Sequence, residues 1–243
     1  MVPTPFLTER LLATADRQPE APFLHRPGTS AVRYQALGGQ IRYVRERLRS
    51  WSIVPGDIVA GFAPSRALMA MACAPLPASS TFAPLGSTLA TDAYVALLRR
   101  MRPRAVLAPP ASDHPLRIAA ATLGVPAMHA VPGDDGRFAL EIEPDVRNAV
   151  EPLARPGHAY VLVTSGTTGR PKLAPLGHRQ MLDFADAMID LLRLGPEDVG
   201  YALAPFHFAG GLRSSILIPS LAGASFVCLQ ESDVDGFFRA IET

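Results

Sequence analysis

Tyr160-Val161-Leu162-Val163-Thr164-Ser165-Gly166-Thr167-Thr168-Gly169-Arg170-Pro171-Lys172 is the stretch on which the reading of this chain turns. It opens as an apolar run of the kind that fills a buried strand of a parallel sheet. Without a break it becomes a loop of glycines and hydroxylated residues. Gly166 and Gly169 permit backbone angles closed to other residues, so successive N–H groups can converge on an anion. Thr164, Ser165, Thr167 and Thr168 add hydroxyl donors for phosphate oxygens. Pro171 stiffens the exit, and Lys172 supplies a mobile point charge. The pattern differs from a Walker loop, in which a lysine directly follows the second glycine and precedes Ser or Thr. Here Lys172 follows Gly169 by three positions and Leu173 comes next. Lys172 is also the one lysine among 23 basic residues, so it stands out from an arginine background that reads as coding style.

Outward from this loop, helical periodicity alternates with short β-rich runs. Phe6 to Ala15 puts Leu7, Leu11 and Leu12 on one face, and Leu37, Ile41, Val44 and Leu48 recur at helical spacing with Arg42, Arg45, Arg47 and Arg49 turned mostly to solvent. Strands are expected at Ile58 to Phe62, Thr81 to Leu85, Ala105 to Ala108, Ala127 to Val131, Ala159 to Val163, Gly200 to Ala204 and Ser225 to Leu229, with Phe138 to Ile142 alternating like an edge strand. Helices are expected at Ser65 to Ala74, from Thr91 as N-cap through Met101, at Leu116 to Leu123 with Gly124 just past its end, at Arg179 to Leu192, and at Leu212 to Leu221. Repeated β-then-α units give an α/β fold of mostly parallel sheets flanked by helices. The proline-containing stretch Pro144 to Pro156 reads as a connector, dividing a first α/β lobe (1–156) from the phosphate-loop segment and the beginning of a second lobe (157–243).

Composition narrows the function classes. A net charge of +1 gives no reason to invoke nucleic acid or an acidic membrane surface. No run approaches the roughly 18 apolar residues of a membrane span, and a cytoplasmic location is the simplest expectation. Cys73 and Cys228 stand far apart with no Cys-x-x-Cys or His-rich neighbourhood, so no metal site is expected.

Thr164 to Lys172 resembles the signature loop of the adenylate-forming superfamily: acyl- and aryl-CoA synthetases, luciferases and nonribosomal peptide synthetase adenylation domains. Downstream, Leu176-Gly177-His178-Arg179-Gln180 is similar to the family's Thr-His-x-Asn stretch, with Gly177 and Gln180 as departures. Ala204-Pro205-Phe206-His207-Phe208-Ala209-Gly210-Gly211 resembles its Pro-x-Phe-His segment beside the acyl pocket. Val32 to Leu37, Pro55 to Ala60 and Phe82-Ala83-Pro84-Leu85 resemble early landmarks in the family's order, although Gly86 replaces the Asn or Asp often found there.

The resemblance implies part of the large N-terminal domain of an ATP-dependent acid:thiol ligase. Such an enzyme activates a small carboxylic acid as acyl-AMP and transfers it to coenzyme A, or, alternatively, loads a carrier protein's phosphopantetheine. The implied phosphate-binding residues are Thr164, Ser165, Gly166, Thr167, Thr168, Gly169 and Lys172; the implied substrate-pocket residues are Phe206, His207, Gly210 and Gly211. His207 has two readings, pocket wall or gate on the one hand and packed histidine on the other. The family's adenine- and magnesium-holding segment, its ribose-binding aspartate and its C-terminal domain with the catalytic lysine have no counterpart here. ATP with Mg2+ and the thiol therefore belong to a longer parent, and this piece carries no catalytic residue and no tightly bound cofactor. The sequence stops within a helical pattern, Asp233 to Glu242, where Phe237, Phe238 and Ile241 seek a core. This favours a truncated, inactive N-terminal part over a natural half-length binding or scaffold protein.

Overall fold

The computed structural model describes residues 6–26, 28–143, 154–164, 171–229 and 234–241. In chain order it forms α1 (Phe6–Arg17), β1 (Pro22–His25), β2 (Val32–Arg33), α2 (Tyr34–Ser50), β3 (Ile58–Gly61), α3 (Arg66–Cys73), β4 (Thr81–Pro84), α4 (Thr91–Met101), β5 (Ala105–Leu107) and α5 (Pro115–Thr122). There follow β6 (Ala127–Pro132), β7 (Phe138–Ile142), β8 (His158–Thr164), β9 (Lys172–Gly177), α6 (His178–Leu192), β10 (Val199–Ala202), α7 (Ala209–Leu212), α8 (Ile218–Ala222), β11 (Ser225–Cys228) and α9 (Val234–Ile241).

Two sheets result. The larger has the order β7-β6-β5-β3-β4-β8-β9, parallel through its five inner strands, with β7 and β9 antiparallel at the edges. The smaller has the order β10-β11-β1-β2, where only β2 is antiparallel. The α/β expectation with mostly parallel sheets therefore holds. The sheets do not divide at residue 157, however: β8 and β9 belong to the larger sheet, and β1 and β2 are built into the smaller one beside β11.

Local chemistry explains most elements. Leu37, Ile41, Val44 and Leu48 are all fully buried on α2, while Arg42 and Arg45 reach from it to Asp16 and Glu9 of α1. Such exposed pairs contribute about 0–1 kcal/mol each; the apolar stripe holds the helix down. Ser65 caps α3 by accepting a hydrogen bond from the Leu68 N–H at 3.2 Å. Thr91 does not cap α4. Ala90 occupies the cap position in extended conformation and makes no side-chain bond, so the helix begins one residue earlier than expected, with Asp92 near its positive end. The helix expected over Leu212 to Leu221 runs as α7, a π-helical turn over Arg213–Leu217, and α8. Pro219 has no N–H to donate, and the wider turn lies just before it.

Both ends of the larger sheet are hairpin edges, and one of them is covered. Gln40, 1 % exposed on α2, accepts from the Phe138 N–H and donates to the Phe138 carbonyl at 3.1 and 2.9 Å. Tyr43 and Arg47 do the same for Leu140, the hydroxyl accepting from its N–H and the guanidinium donating to its carbonyl. Side chains of α2 thus supply β7 with the partners that an eighth strand would otherwise provide, which blocks edge-to-edge pairing. In the smaller sheet, buried Tyr34 donates to the Ala224 carbonyl at 2.7 Å, and Phe23 packs edge-on against both Tyr34 and Phe226.

Candidate functional site

The strand order creates a crevice. From β3 the chain crosses by α3 to β4 on one side, then by α4 back to β5 on the other side of β3. Right-handed crossovers in opposite directions put α3 and α4 on opposite faces. The loops leaving β3 and β4 therefore separate at their carboxyl ends, which is where open α/β sheets bind ligands. A cleft of about 530 Å³ lies there. One wall is the loop after β3 and the start of α3, Phe62 to Arg66; the second is Leu85 to Leu89; the third is Phe206 and His207, delivered from the smaller sheet just after β10.

Each wall is fixed by an identifiable interaction. Gly61 ends β3 at φ +138°, and a Cβ there would collide with the Leu107 carbonyl oxygen, so only glycine lets β3 and β5 stay paired to the cleft's edge. The Tyr94 hydroxyl donates to the Gly86 carbonyl at 2.5 Å and holds the second loop; burial pushes this phenol up to about 12. His114 accepts from the Leu116 N–H as cap of α5, and its ring lies 5.3 Å from Phe62 behind the first wall. Across the cleft, the His207 ring sits against Gly86, about 3.6 Å from where a Cβ would project, and 4.2 Å from the ring of half-exposed Phe208. Arg66 donates to the carbonyls of Ala202 and Ala204 at 2.7 and 3.3 Å and lies 4.5 Å over the Phe206 ring.

Of the residues expected in the substrate pocket, Phe206 and His207 line this cleft, Phe206 as a buried ring and His207 half-buried. Gly210 and Gly211 do not line it; they lie in the first turn of α7. Gly211 is a packing requirement, because a Cβ would strike the Pro205 carbonyl, whereas Gly210 faces open space.

Of the phosphate loop, Thr164 and Lys172 are placed, and Ser165, Gly166, Thr167, Thr168 and Gly169 lie outside the described residues. Thr164 ends β8 and Lys172 begins β9; the two are register partners, and both are exposed. The loop is thus the connection of an antiparallel hairpin. Phe82 pairs with Tyr160 in parallel, so the ends of β4 and β8 emerge on the same sheet edge, the edge that carries the cleft. Arg100 of α4 anchors the loop's exit by donating to the Pro171 carbonyl at 2.5 Å. His178 is at the far end. Five residues of strand at about 3.4 Å each separate Lys172 from Gly177, and His178 follows, buried at the start of α6 with its N–H on the Gly157 carbonyl. Burial, together with nearby His158, holds its imidazole down at about 4.

Among the described residues, no three His, Cys, Asp or Glu side chains gather into a metal-binding cluster, and no helix is long and apolar enough to cross a membrane. Sequence reasoning missed Arg66, Tyr94, Arg100 and His114. Only His114, directly before Pro115 at a helix start, carried a local signal.

Comparison with known proteins agrees with this geometry. A family model described as "AMP-binding enzyme" matches residues 11–243. The p-hydroxybenzoic acid–AMP ligase FadD22 of Mycobacterium tuberculosis is 46% identical over 78 residues, 32% of this chain and 11% of that protein. The fatty acid–[acyl-carrier-protein] ligase MmaC of Mycobacterium marinum is 32% identical over 197 residues, 76% of this chain and 35% of that protein. ATP-bound MatB from Rhodopseudomonas palustris superposes with a TM-score of 0.79 at 22% identity, over 99% of this chain and 48% of MatB. This last likeness is one of fold. The chain spans about a third or less of these two curated relatives and about half of MatB.

Proposed function

From the premise that this chain belongs to the AMP-binding enzyme family, we propose that it forms the N-terminal part of an ATP-dependent ligase that activates a small carboxylic acid as acyl-AMP. One observation carries the reading. The hairpin β8–β9 holds Thr164 and Lys172, the two ends of the glycine-threonine loop, on the same sheet edge as the cleft walled by Phe206 and His207.

The chemistry fits this layout. A carboxylate oxygen attacks the α-phosphorus of ATP, the bond to the β-phosphate's bridging oxygen breaks, and pyrophosphate leaves. A thiol sulfur then takes the acyl carbon and AMP departs. In the first step, Thr164, Ser165, Gly166, Thr167, Thr168, Gly169 and Lys172 would grip the β- and γ-phosphates and steady the charge that accumulates on the leaving group. Phe206 and His207 would wall the acid's side of the site. The 243-residue chain alone is expected to form no adenylate.

The test is carboxylate-dependent ATP–pyrophosphate exchange by the longer protein across a panel of acids, with Lys172→Ala beside the wild type. Loss of one charge-assisted contact of about 1.5–3 kcal/mol predicts exchange slower by about 10- to 100-fold. Unchanged exchange kinetics in the variant, or exchange by the 243-residue chain alone, would refute the assignment.

For the thiol, coenzyme A and a carrier protein's phosphopantetheine are both open. The name of MmaC, which loads an acyl-carrier protein and matches three quarters of this chain, favours the carrier. Acyl transfer from the adenylate to purified holo-carrier, measured against coenzyme A, separates the two.

A further inference from the structure

We propose that Arg66 is the positioning residue of the cleft, a guanidinium that ties the smaller sheet to the larger one and thereby sets where Phe206 and His207 stand. The inference rests on the reading of this cleft as the acid's binding place, but its structural half can be tested without that reading.

Arg66 opens α3, directly after the loop from β3, so its backbone belongs to the larger sheet's crossover. Its side chain reaches into the smaller sheet. One terminal nitrogen donates to the carbonyl of Ala202, the last residue of β10, at 2.7 Å and to that of Ala204 at 3.3 Å. Ala202 is the register partner of Cys228, the last residue of β11; burial pushes that thiol's pKa up, and the nearby Arg66 guanidinium opposes the shift. The same cation lies 4.5 Å from the centre of the Phe206 ring. A single side chain therefore gathers the carboxyl ends of two parallel strands and caps the aromatic residue just beyond them.

These contacts suit arginine in particular. The group must be permanently charged, flat enough to lie on a ring, and able to donate in several directions at once. A lysine ammonium could donate to both carbonyls and still attract the ring, but it could not lie flat upon it. The consequence falls on the next residue. His207 follows Phe206, and its ring is bounded on the far side by Gly86. Arg66 thus holds the segment from behind, and Gly86 leaves space in front for the imidazole. Remove the guanidinium, and residues 203 to 207 lose the anchors that aim them at the cleft.

The test uses Arg66→Met, which keeps length and apolar bulk, and Arg66→Lys, which keeps charge. Imidazole proton–nitrogen spectra of the 243-residue chain, with the His207 signals identified through His207→Gln, report the clamp directly. The signals of His207 are expected to shift in Arg66→Met and less in Arg66→Lys, with those of His25, His129, His158 and His178 unmoved. In the longer enzyme, KM for the acid is expected to rise by about tenfold or more in Arg66→Met, with KM for ATP within about twofold of wild type and Arg66→Lys intermediate. Unmoved His207 signals in both variants would overturn the clamp. A parallel rise of both KM values with a lowered Tm would reduce Arg66 to a structural residue and overturn the positioning role. Should Arg66→Met fail to fold, Arg66→Lys carries the same comparison. If wild-type enzyme shows no acid-dependent exchange with any acid, the proposed function fails while the spectra still decide the clamp.

Discussion

Replacing Gln40 with leucine should destabilise the fold far more than its single amide suggests. Gln40 is 1 % exposed and holds both backbone groups of Phe138, a residue itself 3 % exposed. Leucine has nearly the same volume, so packing is conserved while two buried backbone groups lose their partners. Each such group costs about 1–3 kcal/mol to leave unsatisfied. Against this, the buried amide no longer needs desolvating and apolar area is gained, which offsets about 1–2 kcal/mol. The expected net loss is about 2–4 kcal/mol, a sizeable part of the roughly 5–15 kcal/mol by which domains are stable. Urea unfolding of the 243-residue chain measures it: with m unchanged, the midpoint should fall by about 1 M or more for m of about 2 kcal/mol/M. Hydrogen exchange gives the local check, since the amide of Phe138 should lose protection before those of the inner strands. Arg42→Ala, which removes only an exposed ion pair with Asp16, is the control and should change stability by about 0.5 kcal/mol or less. A Gln40→Leu midpoint equal to that of the control would refute the view that α2 side chains satisfy the edge of β7.

Two further outcomes follow from the site's surroundings. The imidazole of His178 is held down at about 4 by burial and by nearby His158, so between that value and its usual range near 6.5 the unfolded chain binds the proton and the folded chain does not. Stability should then be fully present above about pH 6.5 and fall as pH drops towards 4; acid titration of the urea midpoint should flatten in His178→Gln, and an unchanged slope would exclude His178 as a source. Arg100→Ala removes the donor to the Pro171 carbonyl at the loop's exit. Under the proposed function it should raise KM for ATP by several-fold and leave that for the acid little changed, as steady-state exchange kinetics would show.

Much of the fold is legible in the residues because one period dominates each element. Leu37, Ile41, Val44 and Leu48 report a helix face whatever packs on it, and the apolar run Tyr160 to Val163 reports a strand buried on both sides. β1 and β2 were unreadable for the opposite reason. They are four and two residues long, and β1 finds its parallel partner in β11, which no local pattern can announce. β9 was hidden by Pro175 and Gly177, residues that argue against a strand unless it lies at an edge. At the site, Phe206 and His207 were found through the motif they share with a family. Gly211 entered by the same route and proved to be a packing residue. Arg66 could not have been found this way. Its partners are two carbonyls and a ring that stand well over a hundred positions away, and a carbonyl has no residue identity to recognise.

The pairing of Leu24 with Phe226 has a consequence for how the molecule comes into being. At about 5–20 residues per second, a ribosome needs on the order of 10–40 s to make the roughly 200 residues between them. During that interval the apolar face of β1 has no neighbour on its β11 side, and the larger sheet can assemble first. The smaller sheet closes only when the chain's beginning and its 220s meet, a late and slow event of long loop closure. A nascent chain arrested before residue 225 should accordingly be a ready client for chaperones.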